Sequence, residues 1–190
     1  MLILAPIGSV VALLFATILF VKILKESRGD GKMIAIQDAI SEGAHAFIRR
    51  QYRVVIIFFA VVFSLLFLLH KQGYLPIFVP FAFLSGGFFS GLSGFIGLVT
   101  ATKANARTTQ ACKTSLNKGL KIAFASGTVM GLCVVGLGLL DLSIWYYILD
   151  FYYSNVNVIK DMGHKIQEIT ATMLTFGMGA SFMALFARVG

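Results

Sequence analysis

Charge is scarce in this sequence: Asp, Glu, Lys and Arg make up 13% of its 190 residues, and only eight side chains are acidic. A soluble domain is typically about 25% charged. With 58% hydrophobic residues and a mean hydropathy of +0.87, this chain falls outside that class and reads as an integral membrane protein. Cysteine is equally rare. Cys112 falls in a hydrophilic connection and Cys133 in an apolar run, which excludes a disulfide framework and leaves two free thiols without metal-ligand spacing. Period-two alternation of hydrophobicity is absent, so a transmembrane barrel is excluded. Also missing are a paired-carboxylate cluster, a His/Cys/Asp set at metal spacing, a phosphate-cradling glycine loop and a nucleophile beside a base. No catalytic, cofactor-binding or metal-ligating residue is therefore assigned within the chain. Gly136 and Gly138 imitate the start of a dinucleotide fingerprint, but no strand precedes them.

What the sequence does contain is long apolar runs, at Leu2–Leu24, Val54–Leu69, Leu75–Thr102, Leu120–Leu149 and Ile166–Ala187. An α-helix rises about 1.5 Å per residue, so runs of this kind can cross a hydrocarbon core of roughly 30 Å. The expected fold is all-α: a polytopic transmembrane helix bundle of about five helices, one integral membrane segment over residues 1–190. The charge-free stretch Gln72–Thr102 is read as a single helix, with Pro76 and Pro80 near its start where proline is tolerated. The first run has no basic residue ahead of it and no small-residue cleavage pattern behind it. It reads as a retained helix and not as a signal peptide.

The net charge of +8 is topological and does not signal nucleic acid. Lys22, Lys25, Arg28, Lys32, Arg49, Arg50 and Arg53 flank the first connection, and Lys103, Arg107, Lys113, Lys118 and Lys121 flank the third. Only Lys71, Lys160 and Lys165 lie in the second and fourth. The positive-inside bias places the amino terminus outside and the first and third connections in the cytoplasm. Within the first connection, residues 33–53 repeat apolar side chains at Ile36, Ile40, Ala44, Phe47 and Ile48, the spacing of an amphipathic helix. That helix is expected at the cytoplasmic interface, running into the second span. Its charges read as a solvated face, with a catalytic use of Glu42 or His45 as the sharper alternative.

The third run holds Gly87, Ser90, Gly91, Ser93, Gly94 and Gly97, and the fourth holds Ala123, Gly127 and Gly131. Such small-residue seams predict close helix packing. Asp141 lies either inside the bilayer, where an ionisable residue is a functional candidate, or at the interface, the favoured reading because Ile122 to Leu140 already suffices to cross the core. The aromatic stretch Trp145–Tyr153 fits an outer belt. In the last run, Ile169–Ala187 is free of charge and carries Gly177, Ala180, Ser181 and Ala184, while Ser181 and Arg188, seven apart, share a helical face. A packed helix that closes on a guanidinium calls for partners to receive both, so the chain is expected to be part of a longer protein.

Three stretches together resemble the amino-terminal part of the membrane-bound inorganic pyrophosphatases, pumps that couple pyrophosphate hydrolysis to H+ or Na+ transport. They are IQDAISEGAHAFIRRQY from Ile36, SGFIGLVTATKANART from Ser93 with its continuation LNKGLKIAFA from Leu116, and GMGASFMALFARVG from Gly177. The resemblance implies the first part of a 16-helix fold in the plasma or inner membrane, homodimeric when intact, with an outward amino terminus. It implies pyrophosphate and H+ or Na+ as substrates and Mg2+ as cofactor, with K+ dependence left open. The residues that would bind magnesium pyrophosphate follow the ARVG segment in that family, so this chain alone is expected to be inactive. By motif position, Arg188 matches an arginine of the coupling funnel and ion gate, and Ser181 a small polar residue lining that gate. Without the resemblance, Arg188 reads as a helix-end anchor snorkelling to the interface. The competing reading of the whole is a stand-alone small membrane protein with an assembly role, or a non-functional remnant.

Overall fold

The computed structural model describes residues 3–156 and 162–189, and almost all of them are helical. Five helices follow one another: α1 (Leu4–Lys25), α2 (Gly31–Lys71), α3 (Val79–Thr114), α4 (Leu116–Phe151) and α5 (Met162–Val189). A π-helical turn at Tyr152–Val156 closes α4. All five helices are long and apolar enough to cross a membrane. Large apolar side chains such as Ile56, Phe88, Phe124 and Leu174 face outward, as lipid contact requires.

The 41 residues of α2 exceed what a bilayer needs, because the amphipathic segment and the apolar segment join in one unbroken helix. In α3, the helix begins at Val79 with Pro80 in its first turn, where its missing N–H is no loss. It then continues beyond the apolar run, through the hydrophilic stretch that the sequence marks as a connection. The only non-helical residue between α3 and α4 is Ser115, with extended backbone (φ −162°, ψ 130°). Gly119 permits this reversal, since a Cβ there would run into the Cys112 sulfur and press on the Thr108 carbonyl.

Helix α3 is the centre of the bundle and packs on α2, α4 and α5, while α1 packs mainly on α4. One apolar cluster joins α1, α3 and α4 through Ala16, Ile23, Ala104, Ile122 and Val129; a second joins α2, α3 and α5 through Val55, Phe59, Phe83 and Met183. The small-residue seams are used unequally. On α3, Gly87 receives the Phe59 ring and Gly91 the Met183 methyl, whereas Gly127 and Gly131 of α4 have nothing within reach of a Cβ. The tight packing expected of the α4 seam is thus not met among the described residues. That helix turns its Ile122, Val129, Cys133 and Gly136 face into the bundle instead.

Ser9 shows how α1 is held: it is fully buried and donates to the Gly136 carbonyl at 2.7 Å. A Cβ at Gly136 would meet Leu13 at 2.9 Å, so glycine sets this approach. Interhelical hydrogen bonds in membranes average about 0.6 kcal/mol and reach about 1.7. Ser9→Val is expected to cost about 1–2 kcal/mol in mixed-micelle unfolding, near the top of that range because the added methyls also crowd the Gly136 approach.

The two basic connections lie together. Lys113 pairs with Asp30 at 2.8 Å and Lys118 with Glu26 at 3.3 Å. At the other end, Lys165 bridges Asp150 (2.6 Å) and Ser154 (2.8 Å), and Tyr153 donates to Glu168 at 3.1 Å.

Candidate functional site

A cleft of about 500 Å³ opens where α5 leans on α3 but stands away from α4. Apart from Phe89, its α3 wall is made of Gly86, Ser90, Gly91, Ser93 and Gly94, residues small enough to leave space rather than fill it. Met130, Val134 and Gly138 of α4 form the opposite wall, and Arg188 of α5 lies at one end beside Ala184 and Ala187.

The α3–α5 seam is unusually close. A Cβ at Gly86 would collide with the Phe176 carbonyl oxygen, and one at Gly179 with the Phe83 carbonyl oxygen. Ser90 donates to the Ala180 carbonyl at 3.1 Å and Gly91 meets Met183. From Gly86–Phe176 through Ser90–Ala180 to Gly91–Met183 the contacts advance together along both helices, and α3 and α5 run parallel. Two residues of α2 brace this pair. Tyr52 donates its hydroxyl to the Gly91 carbonyl at 2.5 Å, and the Gln51 amide donates to the Phe186 carbonyl at 2.6 Å. Phe186 belongs to the last turn of α5, whose carbonyls lack intrahelical partners. Gln51 thus fixes the turn that carries Arg188.

Arg188 is exposed and has no carboxylate partner among the described residues. Its charge is available to whatever occupies the mouth of the cleft. Ser181 shares its helical face by spacing, yet the structure leaves Ser181 exposed and off the cleft wall. The other polar residues lining the cleft are Ser90, Ser93 and Tyr52. Ser90 and Ser93 were legible as helix-packing residues, and Ser93 and Tyr52 also as members of the stretches that carry the family resemblance.

Two further groups differ from their sequence reading. Asp141 is only 2% exposed and lies beside Ser85 of α3, whose hydroxyl donates to the Ala82 carbonyl at 3.1 Å and accepts the Trp145 indole N–H at 2.7 Å. Its Oδ2 has no partner among the described residues. Ser85 sits six residues along α3 from Val79, about 9 Å along the axis, so this carboxylate is shielded by protein near one end of the bundle and not open to an interface. Arg107, counted above as one of the topological charges, is buried and holds the end of α1. Glu42 and His45 stay exposed, and the His45 Nδ1 lies 2.6 Å from the Ser41 carbonyl of its own helix. Among the described residues no three His, Cys, Asp or Glu side chains are placed to hold a metal.

Comparison with known proteins identifies the family. The model of a family described as inorganic H+ pyrophosphatase matches residues 10–190. A Bacteroides thetaiotaomicron protein, provisionally named a K(+)-stimulated pyrophosphate-energized sodium pump, is 51% identical over 98% of this chain. K(+)-insensitive pyrophosphate-energized proton pumps of Moorella thermoacetica and Methanosarcina mazei are 38% and 34% identical over 97% and 98% of it. The chain spans about a quarter of the length of these curated relatives, 25% in each case.

Proposed function

Because this chain belongs to the inorganic H+ pyrophosphatase family, we propose that it is the amino-terminal part of a membrane pump that couples pyrophosphate hydrolysis to transport of H+ or Na+. Its five helices supply one wall of the ion path and none of the hydrolytic ligands. The observation that carries this reading is Arg188 at the mouth of the α3–α4–α5 cleft, without a carboxylate partner among the described residues. A fixed guanidinium there favours the charged form of any carboxylate brought within about 4–6 Å, and so sets the occupancy of a neighbouring ion site. Ser181, on the exposed flank of the same helix end, is assigned to the partner side of that gate. The active protein is a homodimer in the plasma or inner membrane, with its amino terminus outside and its two linked basic connections in the cytoplasm. Mg2+ belongs to the hydrolytic site, which the described residues do not form.

Membranes carrying the product of the complete reading frame are expected to release phosphate from pyrophosphate when Mg2+ is present, and the purified 190-residue chain to release none. Repeating the assay with Na+ and K+ varied separates the H+ and Na+ alternatives. Absence of hydrolysis in the complete product would overturn the proposal.

Arg188→Ala should lower ion transport by the complete product about tenfold or more, since a neighbouring charge shifts a carboxylate by 1–3 pKa units and each unit is tenfold in occupancy. Arg188→Lys keeps the charge and should retain more transport than alanine. Wild-type transport by Arg188→Ala would make the residue a helix-end anchor only.

A further inference from the structure

A second cavity, of about 400 Å³, lies between α3 and α2 and adjoins the first cleft at Tyr52, Gly91 and Met183. Its lining is apolar apart from the Tyr52 hydroxyl, which is already engaged with the Gly91 carbonyl. Phe59 and Met183 close its floor, while Ile56 and Phe88, 67% and 66% exposed, stand at its open rim. Among the described residues only α2, α3 and Met183 of α5 line the groove.

Cationic side chains stand at one end of it. On α2, Arg49 precedes Tyr52 by three residues and Ile56 by seven, so it shares the groove face, and Arg53 flanks it. His45 lies one turn further, its ring in edge contact with Phe95 of the groove wall at 6.4 Å. Neither arginine has a carboxylate within ion-pair distance among the described residues, although other basic residues of the same connections are paired. Helical side chains lean toward their own amino terminus. Arg49 and Arg53 therefore reach away from the apolar groove toward headgroup level.

We propose that the α2–α3 groove is a binding site for an anionic glycerophospholipid, one acyl chain lying along Ile56, Phe88 and Phe95 and the phosphate held by Arg49 and Arg53. An apolar helix seated in the groove would cover the same surface but leave both guanidiniums without a counter-charge. The lipid satisfies the two features together. The groove adjoins the Arg188 cleft, with which it shares Tyr52, Gly91 and Met183, but its own charges are Arg49 and Arg53, and the inference stands whether or not the chain serves a pump.

The polypeptide as its cells make it is reconstituted in nanodiscs of equal phosphatidylglycerol and phosphatidylcholine, released, and weighed by native mass spectrometry. Phosphatidylglycerol is expected to be retained in excess, and Arg49→Gln with Arg53→Gln to cut that excess about fivefold for each arginine. Ile56→Trp fills the groove from its open rim without touching charge, and should remove the retained lipid. Circular dichroism monitors helicity in each variant. Retention without headgroup preference, a preference untouched by the glutamines, or lipid still held by Ile56→Trp would each overturn the site.

Discussion

Gly179→Leu is expected to be among the most damaging substitutions in this chain, lowering stability in mixed micelles by about 3 kcal/mol or more. Overpacking a filled interior typically costs about 1–3 kcal/mol, because neighbouring side chains can shift to make room. Here the obstacle is main chain: the first carbon of any side chain at position 179 would meet the Phe83 carbonyl, and at Gly86 the reciprocal clash is with the Phe176 carbonyl. Backbone inside a helix cannot yield without breaking its own hydrogen bonds, so α5 must move off α3 as a body. Lipid offers no compensating hydrophobic gain for the surface then exposed, since packing and interhelical hydrogen bonds hold such helices together. The Ser90–Ala180 bond would be lost in the same movement. Gly131→Leu is the control. Nothing lies within reach of a Cβ at Gly131, and its expected cost is below about 1 kcal/mol, the ordinary range for an open site. Steric-trapping or denaturant titrations of the two variants should therefore differ widely, and equal stabilities would show that the α3–α5 seam is loose.

The contrast between Gly179 and Gly131 also marks how far the sequence could be read. Apolar runs announce helices because a chain in lipid must satisfy its own backbone polar groups, and all five runs became helices. Glycine seams announce close approach but not the partner. Gly86 and Gly127 look alike in the sequence, yet one receives α5 and the other faces outward. Which seam is filled depends on the competing faces of each helix, and on α4 the Ile122–Val129–Cys133 face wins. The hydrophilic stretch from Lys103 reads as a loop by composition. It continues as helix because Ala104 and Ala111 pack into the α1–α4 cluster and Arg107 turns inward onto the end of α1, while Asn105, Thr109 and Lys113 point outward. Arg188 was legible as a residue in need of a partner, and it stands at the cleft mouth without a carboxylate partner among the described residues. Ser181 was legible by spacing alone. Seven residues of separation fix a shared face but not which neighbour that face meets, and here Ala180 and Ala184 touch the cleft while Ser181 does not. Asp141 and Arg107 escaped the reading for a common reason: counting charges by segment says where they lie along the chain and nothing about which carbonyl or hydroxyl lies opposite.

Arg107→Ala should cost about 2–4 kcal/mol, with the loss concentrated at the end of α1. The guanidinium is 5% exposed and donates from Nε to the Glu26 carbonyl at 3.1 Å, from one Nη to Lys103 at 2.5 Å, and from the other to Leu24 at 3.4 Å. The last carbonyls of a helix have no intrahelical donors. Leu24 and Glu26 lie at that end of α1, and Arg107 supplies a donor to each while bonding back to its own helix. Hydrogen bonds to a charged group contribute about 1.5–3 kcal/mol each, and the set is less than additive because the weakest is at its distance limit. Alanine leaves the two α1 carbonyls facing a cavity. Lysine restores the charge but not the planar fork, and one ammonium cannot serve carbonyls on both helices with the same geometry, so Arg107→Lys should recover only part of the loss. The nearby Lys118–Glu26 pair joins the same two connections but is half exposed, and Lys118→Ala should cost less than about 1 kcal/mol. Hydrogen exchange distinguishes a clamp from general packing. In Arg107→Ala, amides of the last two turns of α1 and of residues 26–30 should lose protection first, with the α3–α5 seam still protected. Uniform loss across all five helices, or a cost no larger than that of Lys118→Ala, would show that the end of α1 is held by its apolar contacts with Ile122 and Ala104 rather than by this arginine.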